Sequence, residues 1–443
     1  MTTSLAIIGG GISGTLTVLN CIKHSQQPLS IIWFDASNQF FKGLAYSTTD
    51  EHHLLNVRAG NMSVFVEEPE HFVNWLKQHH AHYIATDFVS RKIFGEYVQD
   101  TFNTLKNNNP LVSIQQIAEA AACIDKSETG FEIKTTRTYQ AQKLVLAVGN
   151  FLPAHPRSVN KEFIGSENYF QNSFDPKIAE QVKDKKNITV IGSGLTMIDV
   201  VISLARSNYK SQLQIISPHA YIPQAHYEAP LPSVKPFMEE GKAYKLAELF
   251  TLVNKQLKKA TKEGFNTHSV IDVMRPHLQF TWLHFTLDEK KRFLRHLRHK
   301  WGVARHRAPG QSMVVLQQLM SDSRLNLRKG RIFNIKAKPE GFEINYKDAT
   351  GAERMLETDL IINCTGPESN YLQIQSPLIQ YLIKTGLITP DSIYYGINSA
   401  KNGEISPNLY TLGPPLKGVL WESTAVPEIR LQAKELASKI ISN

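Results

Sequence analysis

Cysteine is scarce in this chain of 443 residues, which contains only three. Because Cys21, Cys123 and Cys364 lie far apart, the sequence encodes neither a disulfide framework nor a thiolate metal cluster. The His-Glu-x-x-His spacing of a zinc site is also missing, and we expect no bound metal. No two cysteines have the spacing of a redox pair, which argues against a disulfide reductase.

Long apolar runs are missing as well. The first run, Leu5 to Ile8, follows no basic segment and stops at glycines, as a buried strand does and a signal peptide does not. No later stretch approaches the ~20 apolar residues that span a membrane. With 42% hydrophobic and 20% charged residues, the composition is typical of a soluble globular protein, which we expect in the cytoplasm.

Acidic residues are outnumbered: 49 Lys and Arg face 40 Asp and Glu, a formal net charge of +9. Such an excess fits nucleic acid, anionic lipid or anionic small ligands. No nucleic-acid module accompanies it, so the sequence favours an anionic cofactor and a polar or anionic small-molecule substrate, with no nucleic acid and no membrane as partner. Nothing in the sequence indicates the oligomeric state.

A complete dinucleotide-binding turn stands near the N-terminus, in the string LAIIGGGISGT. Gly9 allows a tight turn after a predicted strand, Gly11 lets the backbone approach a pyrophosphate, and Gly14 lets helix and strand pack closely. The helix is predicted from Ser13 onward, with its N-terminal amides facing the phosphates. Asp35 ends the next predicted strand, where a carboxylate accepts bonds from ribose hydroxyls.

A second, looser turn occurs in the string NITVIGSGLTMIDV. Gly192 and Gly194 match the first two glycines, but Met197 stands in the packing position, so we expect the helix to be pushed slightly away from the strand. The next predicted strand ends at Ser217, where no acid stands to bind a ribose 2′-hydroxyl or repel a 2′-phosphate. This favours NADPH over NADH. The alternative is a glycine-containing turn that binds no nucleotide.

Two such turns predict one nucleotide that is held permanently and another that binds, delivers a hydride and leaves. Resident FAD and transient NADPH fit this division. The order of elements predicts an α/β fold of two Rossmann-like domains, the second inserted into the first. We expect an FAD-binding domain at residues 1–155, an NAD(P)-binding domain at 156–354 with a helical insertion at about 221–310, and the rest of the FAD-binding domain at 355–443.

One predicted helix is unusually basic, the string KKRFLRHLRHKWGVARHR at residues 290–307. Its apolar residues recur at helical spacing and predict one apolar face: Phe293, Leu294, Leu297 and Trp301. We expect most of its charges to lie in solvent. The functional alternative is that Arg305 and Arg307, with His306 between them, hold the 2′-phosphate of NADPH or an anionic substrate.

These strings together resemble a bacterial family of FAD–NAD(P)-binding proteins related to flavin-dependent urate hydroxylases and aspartate N-monooxygenases. The resemblance runs over nearly the whole chain and rests on IIGGGISG, GLAYSTTDEHHLLNVRAGNMS, IGSGLTMIDV, RFLRHLRHKWGVARHR, INCTGP and LWESTAVPEIRLQA. It implies an FAD-dependent monooxygenase that uses NADPH and dioxygen to hydroxylate a small metabolite through a flavin C4a-hydroperoxide. Tyr169 replaces the histidine of the Baeyer–Villiger motif, which argues against that subclass.

The resemblance also implies site residues. Asn56 and Arg58 would contact the isoalloxazine ring as the candidate catalytic pair. Gly149 and Gly366 stand in strand-end turns that link the two domains. The closing segment would bring a helix N-terminus to the flavin pyrimidine edge, where its dipole stabilises charge on the reduced ring: Trp421, Glu422, Ser423 and Thr424.

Two other functions stay open at this level. One is a flavin-dependent reductase or dehydrogenase that passes electrons to another acceptor, and the other is a non-catalytic nucleotide-binding redox sensor. Oxygen uptake coupled to substrate distinguishes a monooxygenase from a dehydrogenase, and failure to oxidise NADPH with any acceptor marks a sensor.

Overall fold

The computed structural model describes residues 3–207, 209–210, 212–227 and 234–442. The strands in this part of the chain are β1 Thr3–Ile8, β2 Leu29–Phe34, β3 Val112–Ile117, β4 Cys123–Ser127, β5 Gly130–Lys134, β6 Thr138–Ala141, β7 Lys143–Leu146, β8 Tyr169–Phe170, β9 Asn187–Ile191, β10 Gln212–Ser217, β11 Leu325–Lys338, β12 Gly341–Asp348, β13 Glu353–Thr358, β14 Leu360–Asn363, β15 Glu404–Ser406 and β16 Leu409–Thr411.

The α-helices of the same ranges are α1 Ile12–His24, α2 Gly43–Tyr46, α3 His71–His79, α4 Arg91–Asn108, α5 Ile178–Gln181, α6 Leu195–Arg206, α7 Leu246–Lys262, α8 Thr267–Met274, α9 Leu278–His284, α10 Leu287–His296, α11 Arg298–Arg305, α12 Gly310–Ser321, α13 Pro377–Lys384, α14 Lys417–Leu420 and α15 Val426–Ile441. None of the helices described is both long and apolar enough to cross a membrane.

The first sheet has the strand order β15-β16-β7-β1-β2-β3. All its pairs are parallel except β15 with β16. Strands β1, β2 and β7 are short apolar runs, as expected for parallel strands that are covered on both faces. Helices α1 and α15 pack against each other on one face, and the antiparallel sheet β4-β5-β6 and α13 contribute to the core on the other.

The second sheet has the order β13-β12-β11-β10-β9-β14-β8. Strands β8, β14, β9, β10 and β11 are parallel, and β12 and β13 extend the sheet as antiparallel strands. The predicted α/β fold with two parallel sheets is therefore confirmed. The domain boundaries stay a prediction, although one strand beyond the predicted boundary at residue 355 belongs to the second sheet. Strand β14 lies beyond residue 355 and pairs with β9, because its apolar run fills the gap between β9 and β8, and β15 and β16 rejoin the first sheet only after it.

The insertion is helical where the structure describes it, with α7 to α11 between β10 and β11. The basic segment was expected to be one helix and is instead two. Helix α10 ends at His296 and α11 begins at Arg298, and Leu297 between them has a φ of −115°. The predicted apolar face is confirmed: Phe293 is buried, and Leu294, Leu297 and Trp301 pack against the same cluster as Trp282.

Close contact between α1 and β1 depends on one missing side chain. A Cβ atom at Gly14 would lie 2.0 Å from the carbonyl oxygen of Gly9, which also accepts a bond of 3.0 Å from Trp33 Nε1. Any other residue at this position has to push the helix off the strand. The third glycine of the turn therefore has the packing role that its spacing predicts.

Gly14→Ala should lower the free energy of unfolding by about 1–3 kcal/mol, because the new methyl group overpacks a rigid backbone contact. Gly302→Ala is the matched control, since it adds the same methyl group to helix α11, where a Cβ meets no atom within 4 Å. That control should be neutral or stabilising by about 0.5–1 kcal/mol. Urea unfolding monitored by circular dichroism measures both. Equal effects of the two substitutions would contradict the packing role.

Candidate active site

A central cavity of about 400 Å³ lies where the carboxyl ends of the two sheets meet. Its wall is formed by the segments that follow β1, β2, β7 and β16 in the first sheet and β8, β9 and β14 in the second. Ligands of open α/β sheets bind at such ends. Seven of the residues predicted from the sequence line this cavity: Gly9, Gly11, Ser13, Asp35, Gly149, Gly366 and Thr424.

The first glycine turn presents backbone to the central cavity. Gly9 has a φ of +116°, and a Cβ there would lie 2.2 Å from the carbonyl oxygen of Ala147, so only glycine fits. Gly11 is the N-cap of α1 and has no side-chain capping bond. A helix N-terminus without a side-chain cap has amide groups free for an anion, and the missing Cβ at Gly11 leaves room for it to approach.

Asp35 lies beside this turn and holds it in shape. Its Oδ2 accepts a bond of 2.8 Å from the Gly10 amide, and its Oδ1 accepts bonds of 2.8 and 2.6 Å from the amide and hydroxyl of Ser37. Its Oδ1 also accepts a longer bond of 3.4 Å from the Gln39 amide, whereas the bond from Gly10 leaves Oδ2 a second acceptor position. Asp35 can therefore fix the glycine turn and still accept a bond from a ribose hydroxyl.

The second glycine turn repeats this geometry with one difference. Gly192 has a φ of +107° and approaches the Cys364 carbonyl so closely that a Cβ would lie 2.3 Å away, while a Cβ on Gly194 would meet nothing within 4 Å. Met197 is fully buried in the second core. The first helical bond, from the Ile198 amide to the Gly194 carbonyl, measures 3.4 Å, against 2.9 Å in α1. This loosening agrees with the side chain at position 197.

Ser217 lies at the second turn, as its position at the end of β10 predicts. Its hydroxyl is 2.9 Å from that of Ser193 and accepts a bond of 2.9 Å from the Ala220 amide. In the parallel pairing of β10 with β11, Ser217 lies opposite Lys329. Gly192, Gly194 and Ser217 stand outside the wall of the central cavity, whereas Leu195 and Thr196 of the same turn belong to it.

A group of cations surrounds Ser217 that sequence reasoning missed. We call it the basic cluster: His219, Arg298, His299, Lys329 and Arg331. The imidazole rings of His219 and His299 lie 4.7 Å apart. Burial, together with the charges of Arg298 and Arg331, lowers the pKa of His299 to about 4. Burial, Arg331 and Lys329 likewise lower the pKa of His219. Both imidazoles are therefore neutral at pH 7, and the charge comes from the other three residues.

Arg305 and Arg307 are engaged elsewhere. Arg305 Nε donates to Glu422 Oε2 at 3.2 Å, and Arg307 Nη2 donates to Asp272 Oδ1 at 2.6 Å. The Arg305–Glu422 pair is buried on both sides, with side chains 15% and 10% exposed, whereas Arg307 pairs with an Asp272 side chain that is 58% exposed. These two arginines hold the insertion together and attach it to the closing segment. The structure does not bring them to Ser217, where the predicted 2′-phosphate would bind.

Asn56 and Arg58 contact the insertion rather than the central cavity. The Asn56 carbonyl accepts a bond of 3.0 Å from His226 Nε2, and burial lowers the pKa of this histidine to about 4. The Arg58 guanidinium donates to the carbonyl oxygens of Thr86 and Tyr227 and lies 4.9 Å from the centre of the Phe88 ring. The structure therefore gives both residues contacts that position the loop.

The closing segment divides between two environments. Trp421 packs on the rings of Trp282 and Phe293 in the insertion, with centroids 4.8 and 5.0 Å away. Glu422 accepts bonds from Arg305 and, at 3.1 Å, from Trp301 Nε1, and Ser423 is fully buried. Of the four predicted residues, Thr424 lines the central cavity. Helix α15 begins at Val426, two residues after Thr424, and its residue Ile429 also lines that cavity.

A buried ion pair in the cavity wall was also missed from the sequence. The Nη2 atom of Arg91, the first residue of α4, lies 2.9 Å from Oδ2 of Asp199 in α6 and forms an ion pair with it. His53 Nε2 lies 2.7 Å from the hydroxyl of Ser203, whose Oγ donates to Asp50 at 2.6 Å. Burial raises the pKa of Asp199, and the charges of Arg91 and His53 oppose this shift. We call this group the bridging network, because its members come from the segment between β2 and β3 of the first sheet and from helix α6 after β9 of the second.

Comparisons with known proteins agree with this arrangement. Residues 6–151 match the model of a family described as FAD-NAD(P)-binding. No curated protein matches the chain. Among solved structures, the ornithine N-hydroxylase of Kutzneria sp. 744, with reduced FAD, NADP⁺ and L-ornithine, has a TM-score of 0.67 at 13% identity, and the alignment covers 99% of each chain.

Two further solved structures are similar to a comparable degree. The cadaverine monooxygenase of Erwinia amylovora, bound to FAD, has a TM-score of 0.69 at 14% identity, over 99% of this chain and 94% of that one. The L-lysine 6-monooxygenase of Pseudomonas syringae has a TM-score of 0.69 at 14% identity, over 99% of both chains. At such identities the likeness shows the fold, which is that of flavoproteins with two dinucleotide-binding domains, and the predicted resemblance is confirmed at that level.

Asp199→Asn should lower the free energy of unfolding by about 3 kcal/mol, because it leaves the Arg91 guanidinium without a charged partner in a buried place. Glu51→Gln is the matched control. Glu51 pairs with Lys92, the neighbour of Arg91, but its side chain is 69% exposed, and we expect no measurable change. Thermal unfolding followed by circular dichroism compares the two. If Asp199→Asn is as stable as the control, the ion pair does not join the sheets.

Proposed function

We propose that this protein is an FAD-dependent, NADPH-using monooxygenase that hydroxylates a small organic metabolite. The observation that carries the proposal is the single cavity into which the first glycine turn and the start of α6 both open. A hydride can pass between two nucleotides only if their reactive rings meet, and this cavity gives them a shared place. The family match of residues 6–151 and the fold of the neighbours support the same cofactors.

The first turn fits the diphosphate of FAD. The uncapped amides after Gly11 supply donors, the absent side chain gives access, and Asp35 is available for the ribose. The flavin end would then extend past Gly149 and Gly366 toward Arg91 and Thr424, all of which line the central cavity. When bound, FAD supplies the redox chemistry, accepting a hydride from NADPH and reacting with dioxygen.

The second turn fits NADPH as the nucleotide that comes and goes. The open space at Gly194 allows its diphosphate to approach, and the nearby basic cluster suits a 2′-phosphate. We assign binding of the 2′-phosphate, which the sequence suggests for Arg305 and Arg307, to Lys329 and Arg331. Among the residues described, Lys329 and Arg331 have no ion pair, whereas Arg305 and Arg307 each have one. For Asn56 and Arg58 we propose a positioning role at the insertion.

Among the neighbours, the ornithine, cadaverine and lysine enzymes act on amines, and we propose that the group hydroxylated here is also an amine. The overall reaction consumes NADPH, a proton and dioxygen, and yields NADP⁺, water and the hydroxylated product. The chain's own residues bind and orient the partners, and the wall of the central cavity keeps bulk water from the reacting atoms.

A disulfide reductase with the same fold is disfavoured by the cysteines. All three are free, and Cys21 and Cys364 are buried. Burial raises the pKa of Cys21 to about 12 and also raises that of Cys364, so neither thiol forms the thiolate that exchange requires.

The test is an isotope experiment on the purified, FAD-loaded protein. Under ¹⁸O₂ with NADPH and each of ornithine, lysine, cadaverine and a wider set of amines, an accepted amine should gain one labelled oxygen atom, as measured by mass spectrometry. Without an accepted amine, NADPH oxidation should be slow and yield hydrogen peroxide. Gly11→Val is the cofactor-free control, because its side chain fills the approach to the diphosphate. Turnover of an amine without label would establish a dehydrogenase instead.

NADPH should reduce the flavin faster than NADH in stopped-flow measurements at equal concentration, because the basic cluster carries no carboxylate among its members. Replacing both Lys329 and Arg331 by Gln should shrink this advantage about tenfold, the effect of losing one or two charge-assisted bonds. Lys336→Gln is the control, since Lys336 is on the same strand but pairs with Glu343. A preference for NADH in the native protein would contradict the cofactor assignment.

A further inference from the structure

The helical insertion encloses a second cavity that the cofactors leave unexplained. It has a volume of about 240 Å³ and lies between α7, α8, α9, α10 and α11. We call it the insertion cavity. Its wall is formed almost wholly by aliphatic and aromatic side chains, among them Leu249, Val253, Ile271, Trp282, Trp301 and Trp421. Three of the five tryptophans in the chain therefore face one cavity.

The tryptophan and threonine donors of this wall are already bonded to protein, and the charged residue of the wall, Lys300, is exposed to solvent. Trp282 Nε1 donates to the Gly418 carbonyl at 2.9 Å, and Trp301 Nε1 donates to Glu422 at 3.1 Å. Thr281 Oγ1 donates to the His277 carbonyl at 2.8 Å. The cavity consequently offers carbon surface and few free donors. A strongly polar occupant would lose its bonds to water without replacement, which costs about 1–3 kcal/mol for each group.

The two ends of the insertion cavity lie near the central cavity and near the second glycine turn. At one end, Trp421 stands three residues before Thr424, which lines the central cavity. At the other end, a neighbouring hollow shares Leu257, Ile271, Lys300 and Ala304 with the insertion cavity and extends to Tyr221. The Tyr221 carbonyl accepts a bond of 2.6 Å from Ser193 in the second turn. The insertion cavity is thus near the central cavity along the closing segment, and near the second turn through the neighbouring hollow.

We propose that the insertion cavity binds the apolar body of the substrate, so that the substrate is an amine attached to an aromatic or branched aliphatic group rather than a slender polar amine such as ornithine. In another protein, an apolar cavity of about 150 Å³ binds benzene, so 240 Å³ admits a body of one or two rings. The inference rests on the proposed function in that the occupant is a substrate, but its test measures binding alone.

The experiment is isothermal titration calorimetry of the FAD-loaded protein, without NADPH, with 1-naphthylmethylamine and with cadaverine as the polar counterpart. The naphthyl probe should bind with a negative heat-capacity change, the mark of apolar burial, and at least tenfold more tightly than cadaverine. Val253→Trp fills the cavity and should weaken the naphthyl probe at least tenfold. Val314→Trp is the matched control, because Val314 is 64% exposed on α12, and it should leave binding within twofold.

Ala304→Leu is a milder filling variant that keeps the test decisive if Val253→Trp does not fold, which circular dichroism reports. The proposal is overturned if the naphthyl probe does not bind, if both filling variants bind it like the native protein, or if cadaverine binds equally well. It is also overturned if sedimentation shows that the filling variants dissociate an oligomer, because a second copy would then cover the cavity. Failure of the proposed function has a different signature, namely unlabelled product under ¹⁸O₂ while the naphthyl probe still binds.

Discussion

The two glycine turns can serve one reaction only while the two sheets keep a fixed relation, and the bridging network is the contact that holds them. Arg91 and Asp199 join α4 to α6 in the wall of the central cavity, and His53 reaches Ser203 one turn farther along α6. A buried ion pair seldom adds much net stability, because desolvation offsets the Coulomb attraction. Its value here is geometric, since a displaced partner would leave a buried charge unpaired and rigid-body slippage of the sheets is therefore penalised.

The same physics changes the meaning of the positive charge. The sequence has a formal net charge of +9, and its basic segment at residues 290–307 suggests cations without a partner. In the structure, Arg305 pairs with Glu422 and Arg307 with Asp272, and Arg275 pairs with Glu428 of α15. The pairs with Glu422 and Glu428 anchor the insertion to the closing segment, and the pair with Asp272 lies within the insertion. The cations that face the second turn come instead from α11 and β11, where charge accumulates without a carboxylate among the members of the basic cluster.

Sequence reasoning predicted the interactions within one β-α-β unit and missed those between elements far apart in the chain. Gly9, Gly14 and Asp35 act within one β-α-β unit, so their spacing alone predicts the turn and its packing. The basic cluster and the bridging network combine residues from elements far apart in the chain, and no spacing rule connects such pairs. The break at Leu297 was missed for another reason: the apolar periodicity continues through it, so the pattern cannot reveal that one helix ends and another begins there.

The short segment from Trp421 to Thr424, just before α15, borders both cavities, and its backbone conformation is set by contacts within the protein. Trp421 has a φ of +61°, a conformation that costs a bulky residue about 1–3 kcal/mol and persists only where the surroundings impose it. Here the conformation is imposed by the ring contacts with Trp282 and Phe293 and by the hydrogen bond of 2.8 Å that the Trp421 amide donates to the Lys417 carbonyl. Because Thr424 is only three residues farther along the chain, the distance between the apolar wall of the insertion cavity and the central cavity is set by the protein alone. A substrate whose apolar body is bound in the insertion cavity would therefore place its amine at a fixed distance from that cavity.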